Sequence, residues 1–336
     1  ILFVPSWPTL ILAAFGMGLG SGVIDAGLNT YIAGYRSTRL LNWMHGCFGL
    51  GATIGPLILT ALFAAGLVWR WGYVMAGVAQ LSVALLLLLT LGHWRTTSSR
   101  QGGSSTPARA ATALQTLRVP LVMLGIMMFL VYAGLEVATG QWSFSLFTEG
   151  RAIPVTTAGV WVSLYWGSFT VGRFFFGALG DRLGVSTLVR AMLVLSGIGA
   201  AMLWVAPLPF FNFVGLIVIG FALAPVFPLL ISVTPQLVGP RHTANAIGFQ
   251  VGAAGLGIAI IPWIAGVLVE QGGVHSIFLI STAIDAPVPD TRMNVIAPFL
   301  LGTVFVAIGL YELMLWLARH RSSAQTLVAQ PASGSD

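Results

Sequence analysis

Nine stretches of this chain are apolar for about the length a helix needs to cross a lipid bilayer. They cover approximately residues 8–33, 43–67, 72–91, 120–146, 157–179, 187–205, 209–233, 244–269 and 295–317. A bilayer core needs roughly 20 apolar residues per helix, and it offers no water to an unpaired backbone group. The chain is 57% hydrophobic and only 7% charged, whereas soluble domains are about a quarter charged. The expected fold is an all-α polytopic membrane protein, with the lipid bilayer as its main solvent. The formal charge of +6 does not point to nucleic acid. Every one of the 15 basic residues is Arg, and they are scattered between apolar runs rather than clustered with aromatics. The one cysteine, Cys47, excludes an internal disulfide and a Cys-based metal site. No cofactor or metal is expected.

The arginines orient the chain. Loops after odd-numbered runs hold eleven: Arg36, Arg39, Arg95, Arg100, Arg109, Arg118, Arg182, Arg190, Arg241, Arg319 and Arg321. Loops after even-numbered runs hold three: Arg70, Arg151 and Arg292. Arg-rich loops stay in the cytoplasm, so the tail is expected there and residue 1 on the opposite side of a cell membrane. The chain starts on an apolar Ile1–Val4 stretch without the basic start of a signal peptide. Residues 95–118 are polar, basic and Gly/Ser-rich, which is linker composition. Between Glu270 and Val295 lies a loop of about two dozen residues with Asp285, Asp290 and Arg292. Its apolar part, 277–284, is too short to span.

Polar residues inside apolar runs are the candidates for chemistry, because a charge in the membrane core is expensive and marks a pathway by default. In the first run Gly16, Gly18, Gly20 and Gly22 alternate, a spacing that suits close helix packing. Asp25 and Asn29 follow, four residues apart and so on one helix face. Asp25 is either a proton-carrying acid facing a cavity or an acid near the interface. His45 is either a substrate or proton ligand or a helix-start residue. Glu136 sits mid-run, with Gln141 and Trp142 close behind it. A carboxylate, an amide and a ring face are the groups that recognise a sugar, whose hydroxyls need directional partners and whose faces are apolar. A structural glutamate is the competing reading. Tyr165 and Gln250 are further candidate cavity residues, with core packing as their alternative. Arg173 either snorkels to the cytoplasm or pairs with Asp181. Asn212 and Glu312, near run ends, are expected at the interface.

One charged signature closes the fifth run. Gly177, Leu179, Asp181, Arg182 and Gly184 resemble the G-x-L-x-D-R-x-G loop of the major facilitator superfamily, although two basic residues usual in that family are replaced by Val185 and Ser186. The Asp25–Asn29 spacing after a Gly-x-Gly helix, and His45 before Phe48, Gly49 and Gly51, resemble the fucose permease branch of sugar:proton symporters. The resemblance implies a bundle of twelve helices, of which this chain would hold spans 4–12 after an N-terminal truncation. A truly nine-span protein is the alternative. The implied organisation is a partial N-terminal bundle (1–94), a cytoplasmic linker (95–118), a six-helix bundle (119–320) and a cytoplasmic tail (321–336). It also implies a monomeric secondary carrier working by alternating access. Asp25 would couple protons. Asn29, His45, Glu136, Gln141, Trp142, Tyr165 and Gln250 would contact a small solute, monosaccharide-like first. Arg173, Gly177, Asp181, Arg182 and Gly184 would form the gate. Export of drug-like or metabolite solutes is the runner-up. A membrane enzyme is a weak third: Leu19-Gly20-Ser21-Gly22 lacks the first glycine of a Gly-x-Ser-Gly motif, and the five histidines are dispersed.

Overall fold

The computed structural model describes residues 7–33, 37–68, 70–93, 111–179, 184–205, 208–271 and 291–329. They form α1 (Trp7–Ala33), α2 (Thr38–Ala64), α3 (Arg70–Leu89), α4 (Ala113–Leu117), α5 (Pro120–Thr148), α6 (Val155–Leu179), α7 (Val185–Val205), α8 (Pro209–Leu223), α9 (Val226–Val238), α10 (Pro240–Glu270) and α11 (Ile296–Ala329). No strand occurs among the described residues. Among the described residues, seven helical segments are long and apolar enough to cross a membrane. α2 and α6, at 27 and 25 residues, match them in length. This is the all-α polytopic membrane fold that the apolar runs predict.

Two runs differ from expectation. The seventh is a broken span, α8 and α9, interrupted at Ala224 and Pro225. The last continues past residue 317 to Ala329, so the start of the expected tail is helical. The loop residues Asp285 and Asp290, with the 277–284 stretch, lie outside the described residues, as do Asp181 and Arg182.

α5 is the centre of the bundle. It runs parallel to α10, with Gly125 beside Gln250, Gly134 beside Ile261, and Gly266 beside Trp142. α7 and α8 run antiparallel and meet backbone to backbone. A Cβ on Gly199 would lie 2.8 Å from the Gly215 carbonyl oxygen, and one on Gly215 would lie 2.7 Å from that of Gly199. Small residues permit this approach, which supplies the packing that lipid solvent does not. Gly215→Ala is therefore expected to destabilise by about 1–3 kcal/mol, the usual result of overpacking. Gly252→Ala, with nothing within 4 Å of the added atom, is expected to raise stability through helix propensity. Thermal unfolding in detergent distinguishes them; equal melting points would mean the α7–α8 approach tolerates a methyl group.

α1, α2 and α3 pack differently from the rest. α3 buries no residue. Gly16, Gly18, Gly20 and Gly22 of α1 have nothing within 4 Å of an added Cβ, so among the described residues they do not serve the close packing that their spacing suggests. α1 becomes buried only near its end, at Asn29 and Ala33. α2 lies antiparallel on α6. A Cβ on Gly46 would sit 2.9 Å from the Phe174 ring, one on Gly49 2.5 Å from the Thr170 hydroxyl, and one on Gly177 2.5 Å from Trp43. All three contacts fall at the end of the bundle where α2, α5 and α10 begin, called here the linker end. Residues 111–117, at the end of the polar 95–118 stretch, are fixed there. Thr112 caps α4 in a capping box with Gln115. Asn245 Nδ2 donates to the Ala111 carbonyl (2.7 Å), and Thr116 Oγ1 meets His242 Nδ1 (3.0 Å).

Candidate functional site

The break between α8 and α9 creates acceptors inside the bundle. Proline has no N–H, so Pro228 cannot bond the carbonyl four residues earlier, that of Ala224. Arg173 of α6 occupies this place. Its Nε donates to the Ala224 carbonyl at 3.4 Å and its Nη1 to the His45 carbonyl of α2 at 2.7 Å. The guanidinium lies 4.1 Å from the centre of the Phe169 ring, which faces it. Its Nη2 is 3.8 Å from Glu136 Oε1. That distance is within reach of a charge–charge contact but too long for a hydrogen bond. Arg173 is 2% exposed and Glu136 6%. Arg173 therefore points into the bundle and does not snorkel to the surface.

Glu136 is held from its own helix and from α6. The Tyr132 hydroxyl is 2.8 Å from Glu136 Oε2 and also 2.8 Å from the Leu223 carbonyl oxygen. The Tyr165 hydroxyl donates to the Glu136 backbone carbonyl at 2.8 Å. Tyr132 was not singled out in the sequence. Its place one turn before Glu136 is the signal that could have found it.

On the other side of Arg173, the His45 ring continues the network. Its Nε2 lies 3.0 Å from Asn29 Oδ1, and Asn29 Nδ2 donates to Asp25 Oδ1 at 2.7 Å and to the Asp25 carbonyl at 2.9 Å. With the Asn29 amide donating to Asp25, its oxygen must accept from His45, which fixes the proton on Nε2. The His45 ring packs 4.7 Å from Phe227. Asn29 is fully buried and His45 is 8% exposed, so His45 is an interior residue rather than a helix-start residue at the interface. Asp25 is half-buried. The polar chain thus runs Asp25, Asn29, His45, Arg173, Glu136, Tyr132, and crosses from α1 and α2 to α5, α6 and the α8–α9 break.

A scan of family models matches residues 124–286 to the Major Facilitator Superfamily. By shape, the chain superposes on the FucP transporter in its outward conformation with a TM-score of 0.63 and 15% identity, covering 86% of this chain and 73% of that one. It superposes equally, at 0.63 and 15%, on a bacterial homologue of the iron transporter ferroportin in an outward-facing state, covering 88% and 70%. The family model thus covers just under half of the chain, and the likeness by shape is a likeness of fold. Among curated relatives, Bypass of stop codon protein 6 of Saccharomyces cerevisiae is 23% identical over 297 residues, and this chain spans 59% of its length. Protein TsgA of Shigella flexneri is 25% identical over 317 residues, 90% of this chain and 74% of the relative.

In this fold the remaining sequence candidates separate into different places. Gln141 is five residues from Glu136, a rotation of about 140° on a helix, and faces elsewhere. With Trp142, Ser145, Ile258, Pro262 and Trp263 it lines an open groove of about 430 Å³ toward the far end of α5 and α10, where Gln141, Ile258 and Trp263 are exposed. The Trp142 indole N–H donates to the Pro262 carbonyl at 2.9 Å. Gln250 is buried near the linker end, where its Oε1 accepts from the Thr234 hydroxyl at 3.1 Å; it joins α9 to α10 away from both places. Tyr165 stays with Glu136. Of the signature residues, Gly177 makes the Trp43 contact in the α2–α6 seam, and Gly184 precedes α7. Asn212, in the first turn of α8, is buried and accepts from Arg151. Burial lowers the Arg151 guanidinium to about 10. Glu312 pairs with Arg190 through both oxygens on a half-exposed surface, a placement that contributes little.

Proposed function

We propose that this chain is the body of a secondary transporter that carries a small solute by alternating access and couples its movement to protons. The observation that supports this is the buried polar chain from Asp25 to Glu136, which passes through the seam between two helix groups of a membrane bundle. Buried titratable groups in lipid are costly, and a path of them across a movable seam suits a proton relay. α2 and α6 close the linker end, while the groove of Gln141 and Trp142 lies toward the far end. That arrangement suits an outward-facing carrier, with the linker and C-terminus in a cell's cytoplasm and the protein acting as a monomer.

Asp25 is the coupling acid in this reading, and Asn29 and His45 connect it to Arg173. Gln141 and Trp142 are the solute contacts, an amide for hydroxyls and an indole for a ring face. The structural likeness to a fucose:proton symporter supports a monosaccharide-like solute, and the signature at Gly177–Gly184 supports a gate at the linker end. The test is reconstitution of the whole protein in liposomes with a trapped pH dye and a panel of sugars. Proton entry on addition of one sugar is the expected result. Gln141→Ala is expected to raise the half-saturating sugar concentration about tenfold, the effect of losing about 1.4 kcal/mol of binding, with little change in maximal rate. If no sugar moves protons while drug-like solutes leave the vesicles, the exporter reading replaces this one.

A further inference from the structure

The described membrane core holds two carboxyl groups, Asp25 and Glu136, in one network with a single cation, Arg173. The network is electrically balanced when one of the two acids carries a proton. Buried charges left without a partner cost several kcal/mol, so this balance decides the occupancy. The geometry also shows which acid it is. Tyr132 has one hydroxyl hydrogen, yet its oxygen lies 2.8 Å from both Glu136 Oε2 and the Leu223 carbonyl oxygen. One hydrogen shared between two acceptors gives two weak bonds, whereas two full bonds at this length need two hydrogens. If Tyr132 donates to Leu223, the other hydrogen must come from the Glu136 carboxyl. Arg173 agrees: its hydrogen bonds go to the carbonyls of His45 and Ala224, and it stands 3.8 Å from Glu136.

We propose that Glu136 is a second proton-binding site, loaded in this linker-end-closed state, and that it shares one proton with Asp25 around Arg173. The groups facing Glu136 are few. α6 brings Arg173 and Tyr165, its own helix brings Tyr132, and α2 brings His45 only through its carbonyl and Arg173. α8 and α9 contain no charged residue. When Glu136 releases its proton, its carboxylate draws the guanidinium from the His45 carbonyl, and the contact that ties α6 to α2 is lost. Proton release and parting of the seam are thereby one event. This deepens the proton-coupled reading above, but its test does not require transport.

The test is infrared spectroscopy of the whole protein in lipid at neutral pH, following the carbonyl stretch of a protonated carboxylic acid. Wild type is expected to show the band. Tyr132→Phe is expected to shift it, because the hydroxyl that accepts from Glu136 is gone. Glu136→Gln is expected to abolish it, and so is Asp25→Asn, since either leaves one acid for one cation. Both are isosteric, and an amide at position 136 still donates to Tyr132. A wild-type protein without the band, a band that survives either substitution, or one that Tyr132→Phe leaves in place overturns the proposal. Loss of sugar transport with the band intact would instead remove the solute assignment and leave Glu136 as a proton site.

Discussion

Asp25→Asn is expected to reduce sugar-driven proton entry to the leak of protein-free liposomes. The substitution keeps the local hydrogen bonds of position 25. Asn29 Nδ2 donates to Asp25 Oδ1 at 2.7 Å, and the side-chain oxygen of an asparagine accepts that bond unchanged. His45 then keeps its bond to Asn29 Oδ1, and α1 stays fixed against α2. At position 25 the ability to take and release a proton is lost, and Glu136 becomes the one acid left to balance Arg173. Sugar counterflow, in which labelled and unlabelled sugar exchange without net proton movement, is expected to persist at a rate within a few-fold of wild type. Full proton entry in the mutant would remove Asp25 from the coupling path and make it a structural acid. Loss of counterflow together with proton entry would mean that the carboxylate holds the seam itself.

Arg173→Ala is expected to open the linker end. From α6, Arg173 reaches acceptors both on α2 and at the α8–α9 break. Hydrogen bonds from a charged group contribute about 1.5–3 kcal/mol each, and a flanking aromatic face adds to this. In a Cys47→Ser background, a cysteine at Thr170, now 7% exposed against Gly49, reports the seam. Its labelling by a membrane-impermeant thiol reagent from the linker side is expected to rise at least tenfold, which corresponds to about 1.4 kcal/mol. Lysine is expected to restore little, because a single ammonium cannot replace a fork that donates in two directions. Unchanged labelling would mean that glycine packing at Gly46, Gly49 and Gly177 closes the seam without the cation.

The fold class was legible because lipid imposes a simple rule. A segment that must satisfy its whole backbone internally, in an apolar solvent, shows itself as a long apolar run, and eight of the nine runs became single helices. The exception, the seventh run at 209–233, concealed a break. Pro225 and Pro228 were visible, but hydropathy does not register a missing N–H, and the freed Ala224 carbonyl has meaning only once Arg173 is beside it. The glycines of α1 show the opposite failure. Their spacing permits close packing, yet spacing does not supply a partner, and none of the described residues approaches them.

For the site, sequence alone determined the ingredients: which ionisable residues lie in the membrane core, and that Asp25 and Asn29 share a helix face. These follow from local helix periodicity and from the cost of charge in lipid. Only tertiary structure decided their grouping. Asn29 and His45 meet across 16 residues of chain, and Arg173 meets the His45 carbonyl across 128. Glu136 and Gln141, near neighbours in sequence, part because five residues turn a helix to another face. Periodicity fixes direction within one helix, whereas the partner at that face is set by how the helices dock.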